Sequence, residues 1–243
     1  MLTVVIPYRR DAARLERLLN LVAKWPVVVA DDSDDGVSVD VITVRLGGGR
    51  GFARAANAGL TAVRTPLAVV LNDDALPRDD CLAQLQEAGD LHLPAGPILE
   101  GPCGVESAGI SVARWGRVRQ RVDVRGSSQV DAVSGACIRV PAGVRFDERY
   151  PHGFEDVELC RRLGGARIVR TARCWHQGGG SLDRRSAAAQ AHGVTGQMLL
   201  FPAGWREPVI AALHVAQVVR ERGPADRLAG VWRGWRAARA QRD

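Results

Sequence analysis

Four short apolar runs punctuate the first 72 residues: 2–7 (LTVVIP), 26–31 (PVVVAD), 39–44 (VDVITV) and 66–72 (PLAVVLN). Each is rich in Val or Leu, is bounded by turn-forming residues, and shows little alternation of apolar with polar positions. Runs of this kind predict strands covered on both faces, as in parallel sheets. Between the first two, Leu15, Leu18, Leu19 and Val22 recur three and four residues apart, the spacing of one helix face. Residues 51–63 (GFARAANAGLTAV) predict a second helix before the fourth strand, and 78–88 (RDDCLAQLQEA) a third after it. Strand, helix, strand, strand, helix, strand, helix is the rhythm of an open α/β sheet wound from parallel units. Such sheets take ligands at the carboxyl ends of their strands.

The pattern changes over residues 94–140, where short alternating pieces are separated by Gly and Ser. It predicts a mixed or antiparallel continuation of the same sheet, with a loop near 114–128. A short helix follows at 153–164 (GFEDVELCRRLG), then a strand at 166–172 (ARIVRTA) and a glycine-rich turn at 175–181 (WHQGGGS). From Trp205 the chain reads as two helical segments broken at Gly223-Pro224. In the second, Leu228, Val231, Trp232 and Trp235 lie beside Arg227, Arg233, Arg236 and Arg239, a basic amphipathic pattern. With no repeat or low-complexity linker, the expected organisation is one α/β domain over residues 1–202 and an amphipathic helical tail over 203–243. Packing of that tail on the domain or on a second subunit, and docking on an anionic membrane, both suit the pattern.

Composition adjusts this picture little. A chain of 243 residues that is 46% apolar can bury one large core. The net charge of +6 is concentrated at the end, because residues 203–243 carry eight Arg against four acids. The near-neutral remainder argues against a nucleic-acid-binding surface. The five cysteines are scattered with no Cys-x-x-Cys pair, so reduced thiols are expected. The N-terminus turns polar after seven residues, too soon for a signal-peptide core or a membrane span. The expected location is the cytoplasm, with the inner face of the membrane as the alternative.

Chemistry gathers at strand ends. Asp31, Asp32, Asp34 and Asp35 follow the second run, and Asn72, Asp73 and Asp74 follow the fourth. The first group also suits a turn or a helix cap. Both groups, however, would face one crevice of a parallel sheet. Adjacent carboxylates raise one another's pKa unless a cation separates them. Mg2+ or Mn2+ would resolve the repulsion, since such ions are held by one or two carboxylates together with substrate phosphates. Glu155 and Asp156 open the short helix at 153–164; acids in a first turn also serve the helix dipole. His176 stands at a strand end before three glycines, where a loop can close over a phosphate. The stretch at 46–59 (LGGGRGFARAANAG) resembles a phosphate loop but lacks the Lys-Ser/Thr ending of a P-loop.

In order along the chain, VVIPYRR, VVVADDSDDG, GGGRGFARAANAG, LNDDALP, VSGACIRV, FDERYPHGFEDVELCRRL and WHQGGGS resemble the inverting glycosyltransferases of family 2, in the rhamnosyltransferase-like branch. The resemblance covers about residues 3–181 and implies the GT-A nucleotide-sugar fold. It implies that Pro7, Tyr8, Arg9, Asp31 and Asp32 cradle the base and ribose, and that Gly51, Phe52 and Asn57 flank the nucleotide. Asn72, Asp73 and Asp74 take the family's D-x-D position, with Asn72 in place of its first acid. Asp74 is then the expected metal ligand and Asp73 its neighbour. His176 matches a histidine that contacts metal or diphosphate, Asp156 matches the general base, and Glu155 adjoins the acceptor.

The implied reaction moves a sugar, rhamnose among the candidates, from a dTDP- or UDP-sugar to a glycan, lipid-linked or small-molecule acceptor, with Mg2+ or Mn2+. Two other classes compete. A nucleotidyltransferase shares the sheet and the metal carboxylates, but its Gly-rich loop after the first strand is missing from IPYRRDAARL. A nucleotide-sugar-binding relative without activity would be expected to have lost at least one of Asp74, Asp156 and His176.

Overall fold

The structure, a computed structural model, describes residues 1–150, 152–178, 186–201, 204–221, 223 and 225–242. β1 (Leu2–Tyr8) lies between β2 (Val27–Asp31) and β4 (Leu67–Leu71) and runs parallel to both; β3 (Ile42–Arg45) continues the parallel set beyond β2. Every residue of β2 and β4 is buried, as their unbroken apolar runs require. On one face Leu2, Val4 and Ile6 pack with Leu15, Leu18 and Val22 of α1 (Ala12–Val22) and with Leu82 and Leu85 of α3 (Cys81–Glu87). On the other, Val5, Val28 and Val70 pack with Ala56 and Leu60 of α2 (Phe52–Thr61) and with Val157 and Leu159 of α4 (Glu155–Arg162). The alternation follows the two-residue period of a strand.

β3 departs from expectation. It is the outermost strand, and Ile42 is 61% exposed. Val37, Val39 and Val41 do the packing instead, from the loop that precedes it. An apolar run thus became a packed loop and an edge strand, because one neighbour and partial cover are all the sheet offers there.

The mixed continuation is present. β11 (Cys137–Pro141) runs antiparallel between β4 and β6 (Ala95–Gly101), and β12 (Ala166–His176) runs parallel to β6. β7 (Gly104–Ser107) folds back on β6, and β5 (Ala75–Pro77) pairs antiparallel with the end of β12. β10 (Gln129–Val130) closes the far edge, completing ten strands in the order β10-β12-β6-β11-β4-β1-β2-β3 with β5 and β7 alongside. The region expected to be a loop contains part of a separate hairpin, β8 (Ile110–Val112) with β9 (Val118–Gln120). The strand expected at 166–172 continues to His176 across a register shift between Val169 and Arg173. That extension carries His176 to the crevice.

Arg139 on β11 is wholly buried, and its guanidinium donates to the carbonyls of Ala88, Asp90 and Leu93 at 2.6–2.7 Å. It closes the C-terminal end of α3 and the loop beyond, supplying donors that the backbone there lacks.

The chain ends in three helices, α5 (Ala187–Leu199), α6 (Arg206–Arg220) and α7 (Ala225–Ala240). The expected boundary at 202/203 and Pro224 at the expected helix break lie outside the described residues. α5 falls on the domain side of that boundary, yet Val194 and Met198 share a core with Ile210 of α6 and Val231 and Ala238 of α7. α7 sits so close to α5 that a Cβ at Gly230 or Gly234 would lie 2.4 or 2.3 Å from the carbonyl oxygen of Ala187 or Ala191. Glycine is required there for approach, not for a turn.

A chain of buried hydrogen bonds ties these helices together. Arg227 donates to Gln190 Oε1 (2.9 Å), Gln190 Nε2 to His214 Nδ1 (2.7 Å), His214 Nε2 to Gln197 Oε1 (3.0 Å), and Gln197 to the carbonyl of Gly116 in the β8–β9 turn. The tautomer and both amide orientations are assigned from this pattern, in which each donor meets an acceptor. The helices therefore rest on the β8–β9 hairpin. Arg206 Nε also reaches the carbonyl of Arg114 (2.8 Å).

Candidate active site

The carboxyl ends of β1 and β2 form the first wall. Their parallel register sets Tyr8 beside Asp31. Asp31 accepts from the backbone of Ser33 (3.0 Å), the Ser33 hydroxyl (2.5 Å) and the backbone of Val37 (2.9 Å). Burial works to raise its pKa, but these bonds and Arg45 outweigh that and hold the carboxyl below the usual range. Asp32 accepts from the backbone N–H of Arg50 (2.9 Å) and of Gly51 (3.1 Å), one on each oxygen. Gly47, Gly48, Gly49 and Gly51 all have φ between 65° and 89°, so this loop needs residues without a Cβ. Each acid thus holds a loop of the wall. Asp31 has three hydrogen-bond donors and an arginine upon it, whereas each oxygen of Asp32 keeps one acceptor position. Pro7 and Arg9 flank Tyr8, Pro7 half-buried and Arg9 exposed.

At the end of β4 the backbone turns sharply: Asn72 N–H donates to Ala136 O, and Ala75 N–H returns to Asn72 O. Asn72 shapes the turn through its main chain. The turn sends Asp73 and Asp74 apart. Asp73 points back to α1, where Arg14 NH1 is 3.9 Å away, and burial followed by the Asp74 charge pushes its carboxyl up to about 6. Asp74 is 6% exposed and faces His176, its Oδ1 lying 3.4 Å from His176 Nε2 and making no hydrogen bond. The pairing of Ala75 with His176 in the β5–β12 ladder brings the two together, and Gln177 N–H closes on the Asp74 carbonyl (3.0 Å). Burial opposes ionisation of Asp74, but His176 and Arg14 keep it below the usual carboxylate range.

The other ring nitrogen of His176 lies 2.8 Å from Glu106 Oε2 on β7. Burial would lower the His176 pKa, but the two carboxylates raise it to about 9. Beside this trio opens a cleft of about 430 Å3, lined by Pro102, Cys103, Val105, Glu106 and Gln177. Gly179, Gly180 and Ser181, the rest of the expected glycine turn, lie outside the described residues.

The third wall is the N-terminus of α4. Asp156 accepts from the backbone N–H of Gly135 (2.8 Å) and of Val157 (2.7 Å). Gly135 is hemmed by Asp156 and by Phe52, so the starts of α2 and α4 converge on it. Glu155 Oε2 is buried without a partner, and burial followed by the Asp156 charge pushes that carboxyl up to about 8. Burial raises Asp156 as well, while its backbone donors oppose the shift. Burial raises both carboxyls, and the two backbone N–H groups on the Asp156 side chain favour its ionised form. Phe154, just before them, has φ 72°, the one non-glycine left-handed residue among those described. Gly196 of α5 makes room for it, since a Cβ there would lie 2.7 Å from the Phe154 ring.

Asn57 requires a correction. Expected beside the nucleotide, it is 3% exposed, and its amide bonds Phe146 O (3.0 Å), Glu148 Oε1 (2.9 Å) and Phe146 N (2.8 Å). It fastens α2 to the loop before α4. Both Nδ2 hydrogens are used, so it offers a ligand no donor.

Residues 3–92 match the model of glycosyl transferase family 2. The chain carries a family 2 glycosyltransferase domain. It is 32% identical over 190 residues to the pre-mycofactocin glycosyltransferase of Mycobacterium tuberculosis, an alignment covering 68% of this chain and 40% of that one. The chain spans less than half the length of the relatives it matches in sequence. Among solved structures it resembles GalNAc-T7 with UDP, GalNAc and Mn2+ (TM-score 0.61, 12% identity, 92% of this chain and 58% of that one). It also resembles the Pyrobaculum calidifontis mannosyltransferase PcManGT in complex with GDP-Man and Mn2+ (TM-score 0.52, 16% identity, 98% and 75%). At these identities the likeness establishes the GT-A fold.

Within this glycosyltransferase domain the three acidic clusters of the sequence do share one end of the sheet. Among the described residues no group of three or more His, Cys, Asp or Glu side chains is set to enclose a metal ion. Asp74 Oδ1 and His176 Nε2 nevertheless suit a divalent cation completed by diphosphate oxygens and water, since Asp74 Oδ1 is a buried oxygen lacking a partner. Glu106, Gly135, Phe154 and Gly196 were not singled out from the sequence. Gly135 lies within the quoted VSGACIRV, but nothing in its spacing reveals that its N–H holds Asp156.

Proposed function

We propose that this domain transfers a glycosyl group from a nucleotide-diphosphate sugar to an acceptor hydroxyl with inversion, Asp156 acting as general base. The observation that carries the reading is the division of labour at the start of α4. Asp156 is oriented by two backbone N–H groups that favour its ionised form, and the carboxyl of its buried neighbour Glu155 is pushed up to about 8. Asp156 takes the proton of the acceptor hydroxyl as that oxygen bonds to the anomeric carbon. The bond from that carbon to the diphosphate oxygen breaks on the opposite face, and its electron pair leaves with the nucleotide diphosphate. Glu155, as the neighbour of Asp156, would adjoin the acceptor.

Asp74 and His176 would hold Mg2+ or Mn2+, whose contribution when bound is to neutralise charge building on the departing diphosphate. Asp32, with Pro7, Tyr8 and Arg9, would receive the base and ribose; a free lone pair on Asp32 suits the N3–H of uracil or thymine. Gly51 and Phe52 would border the diphosphate and sugar. A dTDP- or UDP-sugar fits this base-recognition chemistry, rhamnose being one candidate sugar, and a glycan, a lipid-linked sugar or a small molecule is the acceptor class. No described helix is long and apolar enough to cross a membrane.

Thermal-shift measurements with UDP- and dTDP-sugars, with and without Mn2+, identify the donor, because stabilisation grows with ligand concentration over its dissociation constant. NMR of the product then reads the anomeric configuration. The expected product has the opposite configuration to the donor. A product that keeps the donor's configuration, or transfer at full rate in EDTA, overturns the reading; binding without any release of nucleotide diphosphate favours a relative without activity.

A further inference from the structure

Glu106 holds the face of His176 that Asp74 does not. Its Oε2 lies 2.8 Å from Nδ1, while Nε2 on the far side of the ring lies 3.4 Å from Asp74 Oδ1. A carboxylate can only accept a hydrogen bond, so Nδ1 must be the donor toward Glu106. In the neutral ring this leaves the lone pair on Nε2, 3.4 Å from the buried Asp74 oxygen that has no hydrogen bond. Metal-binding histidines are ordinarily oriented in this way, by a carboxylate on the nitrogen that does not bind.

The fold gives Glu106 this place through two strand pairings and a register shift. β6 runs parallel to β12 with Trp175 opposite Glu100, β7 turns back along β6, and a register shift between Leu99 and Glu100 sets the hairpin against the strand end. At Gly101 a Cβ would lie 3.5 Å from both Glu106 Oε2 and the His176 carbonyl. The hairpin therefore sits tight against His176, which is only 12% exposed.

We propose that Glu106 is a positioning residue, which fixes the ring orientation and tautomer of His176 so that Nε2 and Asp74 Oδ1 together form the protein's half of a divalent-cation site. This rests on the metal-assisted reading above. The test is Mn2+ binding to the full chain in the presence of UDP, followed by electron paramagnetic resonance of free Mn2+, with the protonation of the His176 ring nitrogens read from 15N NMR of the diamagnetic Mg2+–UDP complex. E106A should weaken Mn2+ binding roughly 10–100-fold and lose the Nδ1–H signature, while UDP binding without metal stays the same. E106Q, whose amide oxygen still accepts from Nδ1, should restore most of the affinity. E106D, which withdraws the carboxylate by one methylene, should weaken binding with the fold intact and keeps the test valid should E106A unfold.

If wild type and E106A or E106D bind Mn2+ equally while D74N does not, the role of Glu106 is overturned and the metal reading stands. An E106Q variant as weak as E106A overturns the orienting role. Absence of UDP-dependent Mn2+ binding in the wild type overturns both.

Discussion

The Gln190–His214–Gln197 chain between the last helices and the acids of the crevice are both buried polar groups treated oppositely, although Arg227 Nε and His192 Nδ1 in the helices are also buried without a partner. Between α5, α6 and α7 the side-chain polar atoms of Gln190, His214 and Gln197 are all paired. In the crevice Asp74 Oδ1 and Glu155 Oε2 are buried without a hydrogen bond. Satisfied networks hold one packing in place, whereas an unpaired buried oxygen is tolerated where a ligand is due to complete it. The contrast separates groups kept for stability from groups kept for reaction, and it can be broken at four points.

The largest effect is expected at Asp156. D156N should lower kcat/KM by roughly 10²–10⁴-fold with a melting temperature close to the wild type, because the amide loses one of the two backbone N–H bonds but also removes a buried charge. A fall in stability matching the fall in activity would erase the distinction. Next comes the pH dependence of the helical unit. Burial holds His214 at about 4, below its ordinary 6.5, so the unfolded chain binds more protons between those values. Stability is complete above pH 6.5 and falls as the pH drops toward 4, by at most about 3 kcal/mol. Urea unfolding at pH 7 and pH 4.5 measures it; H214F should flatten the loss, and an undiminished loss in that variant removes His214 as the cause.

Arg227 tests the same network without changing pH. R227M leaves Gln190 Oε1 buried and unpaired, so unfolding should become easier by roughly 1–3 kcal/mol with kcat unchanged below the melting point. The fourth point is Glu155. Its raised value, about 8, means that the folded chain keeps a proton that the unfolded chain releases above about pH 4.5. Its contribution therefore runs opposite to that of His214, with stability lost as pH rises from 4.5 toward 8. E155Q should remove that alkaline loss in thermal melts at pH 6 and 8.5 and stay near wild-type activity at pH 7. A severe loss of activity would show that the glutamic acid itself is needed.

Much of this was legible along the chain. The uninterrupted runs at β1, β2 and β4 announced strands buried on both faces, and acids at their ends pointed to one crevice. Asp74, His176, Asp156 and Glu155 are all at that end of the sheet. Asp31 and Asn57 were legible as polar residues near the site but not as structural ones, because their roles depend on backbone groups of Val37 and of Phe146. α5 went unannounced: its Ala- and Gly-rich stretch has no wide apolar stripe, and its packing rests on close approach to α7 through Gly230 and Gly234. The 39–44 run misled because apolar periodicity records what can be buried, while position in the sheet decides what is.

Hydrophobic period and residue chemistry alone determined the α/β class, the succession of the first strands and helices along the chain and the acidic strand ends, since these follow from local sequence. Only the tertiary structure decided in which direction burial and neighbours move each acid, and which acids are already in use. A pKa and a free lone pair are set by what surrounds a group. For Asp74, Glu106 and His176 those surroundings come from strands β5, β7 and β12, which lie far apart in sequence and meet at one edge of the crevice.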